Sequence, residues 1–194
     1  MQIDPLYIFV FFGLFSPGPN IILLTASGAR FGFQRTIPHI LGVAFGVGII
    51  AALTGFGVGA FLSAQPRMAF ALKCIAAVWI LWMAWKLLNA ARAVEADPTD
   101  RPFTFVEAVL FQWVNPKVWA VALAASAGYS AGLAPSGEAL RLATAFSGLN
   151  LFVCLFWAFA GSVLAFLLKN RRAWSIFMTF MASVLALSAG MVFL

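Results

Sequence analysis

The chain has 194 residues, of which 63% are hydrophobic and 9% are charged, and its formal net charge is +6. A soluble globular domain carries about a quarter charged residues, so this composition excludes the soluble class and predicts helices that cross a lipid bilayer. The basic residues are scattered among short polar stretches and form no extended basic surface. We therefore expect the bilayer, and no nucleic acid, as the partner of this surface, and we expect the charges to indicate topology.

The first hydrophobic segment, about residues 6–29, is interrupted by Ser16-Pro17-Gly18-Pro19-Asn20. It has no basic region before it and no small-residue cleavage site after it, so we expect an uncleaved spanning segment instead of a signal peptide. Neither apolar part is long enough to span alone. Two prolines remove backbone donors and the glycine frees the backbone. The pattern predicts a helix broken near mid-membrane, facing protein or water.

The second and third hydrophobic segments cover about residues 40–63 and 68–88. Gly42 and Gly46 have the spacing of close helix packing, either within one chain or between copies in a homo-oligomer. His39 lies at the start of the second segment. Two interpretations of it stay open, a residue that accepts a coupling proton and an ordinary interfacial histidine.

Cysteines and tryptophans in the apolar segments predict packing more readily than chemistry. Cys74 and Cys154 are far apart in apolar runs, so we expect two packing residues and no disulfide. Trp79, Trp82 and Trp85 step along the third segment, which is typical of helix packing or of an interfacial aromatic belt.

A polar stretch at residues 90–102 divides the chain into halves of about 1–91 and 102–194, with three hydrophobic segments each. Because three is an odd number, the second half must enter the membrane in the opposite orientation. The sequence thus predicts one all-α transmembrane domain of six helices, arranged as two inverted three-helix repeats. Phe11–Pro17 can be laid beside Leu110–Pro116, which brings the prolines of the two halves together.

The fourth segment, about residues 103–127, breaks at Asn115-Pro116-Lys117. Lys117 lies roughly a dozen residues from either end, and a lysine at that depth costs about 2.5–3.5 kcal/mol on insertion scales. Intramembrane charges are functional hypotheses by default, although a lysine can also extend to the interface. Asn20 and Asn115 can bind substrate or merely satisfy the backbone groups that the breaks leave free.

Helices that restart after Pro17 and Pro116 present N–H groups and positive partial charge, which suit a carboxylate. Lys117, Asn20 and Asn115 can add donors, and carbonyls before each break can accept hydrogen bonds from an ammonium group. A zwitterionic amino acid fits this polarity.

The fifth and sixth segments cover about residues 140–168 and 174–194. On the fifth, five residues share one helical face: Ser147, Asn150, Cys154, Trp157 and Gly161. Asn150 can line a cavity or bond to another helix. The predicted substrate-binding residues are therefore Pro17, Gly18, Pro19, Asn20, Asn115, Pro116, Lys117 and Asn150.

Counting Lys and Arg by alternate loops predicts the orientation. One side carries Arg30, Arg35, Lys86, Arg92, Arg101, Lys169, Arg171 and Arg172, and the other carries Arg67, Lys73 and Arg141. Eight against three places the first side in the cytoplasm and both termini outside. An alternative of five spans would omit one segment, most readily the third, and would place the N terminus inside.

No metal, nucleotide or nucleophile motif occurs, and the acidic residues lie at segment ends or in loops. We therefore expect neither catalysis nor a cofactor. The remaining functions are an exporter, a passive channel for small solutes and a non-transport membrane scaffold.

The breaks also carry a family resemblance. Ser16-Pro17-Gly18-Pro19-Asn20, Leu81–Lys86 and Phe111–Lys117, together with Pro38-His39, resemble the LysE/RhtB family of amino-acid exporters over essentially the whole chain. The resemblance implies proton-driven secondary active efflux of amino acids or related metabolites across a bacterial inner membrane. The pattern is nearest the cysteine and O-acetylserine branch, followed by homoserine and threonine exporters.

Overall fold

The structure is a computed structural model that describes residues 4–16, 18–58, 66–92, 101–167 and 171–190. Those residues form eight helices and no strands, which confirms the all-α class. The helices are α1 (Pro5–Phe15), α2 (Pro19–Phe31), α3 (Phe33–Gly55), α4 (Pro66–Arg92), α5 (Phe105–Trp113), α6 (Pro116–Gly128), α7 (Pro135–Leu167) and α8 (Arg171–Gly190).

The first and fourth hydrophobic segments are each built from two short helices. The α1 and α2 axes are bent by 58° and the α5 and α6 axes by 64°. Helix α3 and residues Pro135–Ala165 of α7 are each long and apolar enough to cross a membrane, and each bent pair qualifies if it is counted as one span. Up to four candidate spans therefore lie within the described residues, and the six-span arrangement stays a prediction.

Helix packing follows a pattern that repeats between the halves. Helices α1 and α2 pack on α7, whereas α5 and α6 pack on α3. Helix α3 also packs on α7, and α4 packs on α8. Exchanging the halves leaves these pairs unchanged, whereas the contacts of α1 with α6 and of α2 with α8 have no comparable counterpart among the described residues. The opposite orientation of the halves remains a prediction.

Helices α2 and α7 cross at two glycines. A β-carbon added at Gly28 would collide with the carbonyl oxygen of Ala158, and one at Gly161 would collide with the carbonyl oxygen of Thr25. Only hydrogen atoms fit between the two backbones there. This crossing holds the second half of the first broken segment tightly against the other half of the protein.

The packing glycines of α3 contact α5 of the same chain. A β-carbon at Gly42 would meet the Phe105 backbone, and one at Gly46 would lie 2.7 Å from Gln112 Cγ. The spacing noted in the sequence thus serves contact within one chain at these two positions. Helix α3 begins at Phe33, earlier than the segment predicted from hydropathy, so much of the polar stretch before His39 is helical.

Two apolar clusters flank the broken helices. One includes Leu24, Val118 and Phe146, and the other includes Ile22, Phe111 and several residues of α4 and α8. Cys154 is buried in the first cluster as the expected packing residue. Cys74 is partly buried and, like Cys154, a free thiol.

Candidate functional site

Each broken pair has a first helix, α1 or α5, and a second helix, α2 or α6, which we call the outer and the inner helix. The outer and inner helices begin differently. Helix α1 starts with Asp4 accepting a hydrogen bond from the Leu6 N–H, at 2.9 Å. Helix α5 starts with a capping box, in which Thr104 and Glu107 satisfy each other's backbone N–H groups. Both outer helices therefore have side-chain caps.

The inner helices have no such caps. Helix α2 starts at Pro19 after Gly18, and α6 starts at Pro116 after Asn115, and neither first turn receives a side-chain hydrogen bond. Proline suits the first position because its missing N–H would have no partner there. Uncapped N-termini leave positive partial charge at both breaks. Pro17, the remaining predicted site residue of this break, lies outside the described residues.

The two breaks contact each other through Lys117. Its ammonium group, Nζ, donates a hydrogen bond to the Ser16 carbonyl oxygen, which ends the outer helix of the first break. A β-carbon at Gly18 would lie 2.6 Å from Lys117 Cδ, so the lysine stem occupies the space beside that glycine. This bond joins the two breaks directly across 101 positions of sequence. Lys117 thus directs its ammonium group to the opposite break.

A second contact joins the breaks one turn away. The side-chain amides of Asn20 and Gln112 exchange two hydrogen bonds, of 2.8 Å and 3.2 Å. Gln112 is fully buried and also donates to the Ala108 carbonyl at 2.9 Å. Sequence reasoning did not single out Gln112. The available signal was an amide three positions before Asn115 in an otherwise apolar stretch.

Asn115 presents an unused acceptor at the second break. Its side chain is 1% exposed, and its Oδ1 has no hydrogen-bond partner among the described residues. The side chain does not cap α6 either. A buried amide oxygen without a donor is costly, so this atom is suited to receive a donor from a ligand.

One backbone carbonyl beside each break already accepts a hydrogen bond from a side chain. Trp119 of α6 donates its indole Nε1–H to the Trp113 carbonyl, at 3.1 Å, which closes the last turn of α5. The Ser16 carbonyl accepts from Lys117.

Helix α7 brings further polar atoms close to the end of α1. The ring centroids of Trp157 and Phe15 are 5.4 Å apart, and Trp157 Nε1 is buried without a partner among the described residues. Asn150 on the same helix is 3% exposed, and its Nδ2 is likewise unpartnered there. No described hydrogen bond links Asn150 to either break.

His39 lies apart from the breaks, in a cavity of about 580 Å³ between α2, α3, α4 and α5. It is 2% exposed, and neither ring nitrogen has a hydrogen-bond partner among the described residues. Its ring centroid is 5.1 Å from that of Phe103. His39 is the sole predicted site residue in this lining, which shows that it belongs to a different region from Lys117 and Asn115.

Comparison with known proteins finds a family match over nearly the whole chain. Residues 11–194 match the family described as LysE type translocator. The chain is 27% identical over 150 residues to a cysteine/O-acetylserine efflux protein of Salmonella choleraesuis, covering 75% of each chain. It is 28% identical over 151 residues to the protein of that name in Escherichia coli O1:K1, again covering 75% of each.

A further relative is an uncharacterized membrane protein of Pseudomonas aeruginosa, 29% identical over 117 residues, or 56% of this chain and 54% of that one. No solved structure matches the chain. The family match, with apolar helices broken twice at contacting proline motifs, describes a multi-pass membrane protein. The chain therefore belongs to the LysE type translocator family.

Proposed function

We propose that this protein exports a small zwitterionic amino acid, or a closely related metabolite, across the bacterial inner membrane, and that its substrate binds between the two breaks. The observation that carries this proposal is the hydrogen bond from Lys117 to the Ser16 carbonyl, which joins the two breaks. The names of the relatives make cysteine and O-acetylserine the first candidates.

The bond from Lys117 to Ser16 pairs an ammonium donor with an oxygen acceptor, and a zwitterionic substrate carries one group of each kind. A substrate carboxylate can replace the Ser16 carbonyl as the acceptor for Lys117, and the substrate ammonium can replace Lys117 as the donor to Ser16. The exchange leaves neither the Lys117 donor nor the Ser16 acceptor unpaired, which keeps the cost of substrate entry low. A substrate with a single charge would satisfy only one side of the exchange.

Other break residues support the same orientation. The uncapped start of α6 lies next to Lys117 and adds positive potential for a carboxylate. The buried Oδ1 of Asn115 offers a second acceptor for the ammonium group. The uncapped α2 start after Gly18, together with Pro19 and Asn20, completes the carboxylate side. Asn150 is proposed as a more distant member of the site.

Export against a gradient requires an energy source, and His39 is our candidate for proton coupling. Its two unpartnered ring nitrogens line the large cavity, where water can deliver a proton. The cavity also contains Arg30, Lys86 and Arg101, all assigned by the sequence to the cytoplasmic side. The proton step is thus proposed at the cytoplasmic entrance and substrate recognition deeper, at the breaks.

The test is uptake of labelled cysteine, O-acetylserine, homoserine and threonine into proteoliposomes, with and without a pH gradient. Lys117→Met removes the ammonium and Asn115→Ala removes the acceptor, and we expect each to lower the transport rate by about tenfold or more, as for loss of a hydrogen bond to a charged group. Arg35→Met, at an exposed cation outside the site, is the matched control. Wild-type rates in both site variants would overturn the site.

The pH gradient distinguishes the mechanisms. We expect the gradient to drive accumulation by the wild type, and His39→Asn to retain downhill flux while losing accumulation. Downhill flux in the wild type that ignores the gradient would indicate a passive channel. Absence of flux for every compound, from protein that is folded by thermal unfolding, would indicate a non-transport role.

A further inference from the structure

Trp157 of α7 carries a buried hydrogen-bond donor that the protein does not use. Its indole Nε1 is buried and has no hydrogen-bond partner among the described residues. An indole nitrogen can only donate, and a buried donor without an acceptor is unfavourable. Since most buried polar groups in proteins are hydrogen-bonded, this N–H is suited to an acceptor that the protein itself does not supply.

Two aromatic rings hold the Trp157 indole in place. Its centroid lies 5.4 Å from that of Phe15 and 5.5 Å from that of Phe156, whose ring plane makes an angle of 87° with the indole. The next residue, Ala158, places its carbonyl against Gly28 where α2 and α7 cross. The indole is thus held on a tightly packed part of α7, so its N–H is oriented before any ligand arrives.

The same contacts place Trp157 beside the first break. Phe15 is the last residue of α1, and it is followed by Ser16, whose carbonyl accepts the hydrogen bond from Lys117. In the proposed function, on which this inference rests, Lys117 binds the substrate carboxylate, and Ser16 and Asn115 bind the ammonium group. The part of an amino acid that remains for Trp157 is its side chain.

We propose that Trp157 determines substrate specificity by donating its Nε1–H to an acceptor oxygen on the substrate side chain. A side chain that ends in an ester carbonyl, such as that of O-acetylserine, provides this acceptor, whereas the thiol of cysteine is only a weak one. The protein should therefore bind an acyl ester of a hydroxy amino acid more tightly than an analogue of the same length without the carbonyl oxygen.

The test compares O-acetylserine with O-ethylserine, which has the same side-chain length and lacks only the carbonyl oxygen, as inhibitors of labelled O-acetylserine uptake into proteoliposomes. We expect the wild type to bind O-acetylserine about tenfold more tightly, the effect of one buried hydrogen bond. Trp157→Phe keeps an aromatic ring beside Phe15 and should bring this ratio close to one. Trp85→Phe, at a tryptophan of α4 that is 58% exposed, should leave it unchanged. A wild-type ratio near one, or an unchanged ratio in Trp157→Phe, would overturn the proposal.

Asn150 provides a stricter comparison on the same helix. Its Nδ2 is another buried donor without a partner among the described residues. It lies seven residues before Trp157, which is about 10 Å along α7. Asn150→Leu should therefore leave the ratio near its wild-type value. A ratio close to one in Asn150→Leu, with the wild-type ratio in Trp157→Phe, would overturn the assignment to Trp157.

Thermal unfolding distinguishes recognition from packing. Trp157→Phe removes an unpaired donor, so we expect its melting temperature to be no lower than that of the wild type. Equal losses of affinity for both compounds, with a lower melting temperature, would assign Trp157 to packing and overturn the proposal. Wild-type uptake of cysteine without O-acetylserine would also overturn it, while leaving the export function intact. Absence of uptake for every compound would contradict the export function itself, and the role of Trp157 with it.

Discussion

At the scale of single residues, the two breaks are joined by polar side chains, of which Gln112 is fully buried. The reciprocal amide bonds of Asn20 and Gln112 connect residues 92 positions apart. In a membrane protein, a hydrogen bond between helices contributes about 0.6 kcal/mol on average. If Asn20 is truncated, the amide of Gln112 is left fully buried without its partner. The free-energy cost of breaking the pair should therefore exceed the net contribution of the hydrogen bonds to stability.

We therefore expect Asn20→Leu to lower the free energy of unfolding by about 1–3 kcal/mol, the cost of an unsatisfied buried amide. The double variant Asn20→Leu/Gln112→Leu should be less destabilised than the sum of the two single variants, because neither amide is then left alone. Reversible unfolding in mixed micelles measures all three. Strictly additive values would show that the two amides do not depend on each other.

At the scale of helices, the crossing of α2 and α7 fixes the inner half of the first break. Because a β-carbon at Gly28 would collide with the Ala158 backbone, the helices must separate to accept any side chain. We expect Gly28→Ala to lower the free energy of unfolding by about 1–3 kcal/mol, as for overpacked cores. Gly148→Ala, on α7 where a β-carbon meets nothing within 4 Å, is the control in the same thermal unfolding assay.

Equal stability of the two glycine variants would show that the helices can separate without cost. Loss of transport in Gly28→Ala at wild-type stability would instead place the crossing in the transport cycle.

The helices and their breaks could be predicted from local chemistry. Apolar length predicts helical segments, and the sequence predicts that two helices restart after Pro17 and Pro116 because proline is disfavoured inside a helix. The helices begin at Pro19 and Pro116, the first position that proline favours. The bond from Lys117 to Ser16 could be expected only in outline. Which atoms meet across 101 positions depends on how whole helices pack.

Two further features were beyond local reasoning for different reasons. Gln112 follows no periodic pattern, so its pairing with Asn20 becomes visible only in three dimensions. Sequence reasoning left His39 open as a proton acceptor or an interfacial histidine, and did not predict that it is buried beside Phe103, where the helical stretch before it places it. Hydropathy cannot detect that α3 begins before the apolar segment, since a polar helical turn ahead of an apolar run resembles a loop.

At the scale of the whole molecule, an ionic cluster joins three helices at the end opposite the cavity. Arg141 of α7 bonds to Asp4 before α1 at 2.6 Å and to the Tyr129 carbonyl after α6 at 2.7 Å. The side-chain hydrogen bond from Arg141, with the Leu6 backbone N–H, holds the pKa of Asp4 below its ordinary value. The link therefore depends on an ionised Asp4.

Because the pKa of Asp4 is lowered in the folded protein, its contribution to stability is complete above the ordinary pKa of aspartate and is lost as the pH falls through the lowered value. We expect the melting temperature of the wild type to fall more steeply below about pH 4 than that of Asp4→Asn. Asparagine still caps α1, so the comparison isolates the charge. Parallel curves for the two proteins would contradict the assignment.

The bond from Lys117 to Ser16 also has an electrical consequence. A membrane potential acts on a displaced elementary charge with about 2.3 kcal/mol per 100 mV, whereas a neutral zwitterion moving with it contributes nothing. If the halves rock against each other and carry the Lys117 ammonium through part of the field, a potential that is negative inside pulls the empty carrier toward its inward-facing state. Voltage would then set how quickly the protein returns for its next substrate.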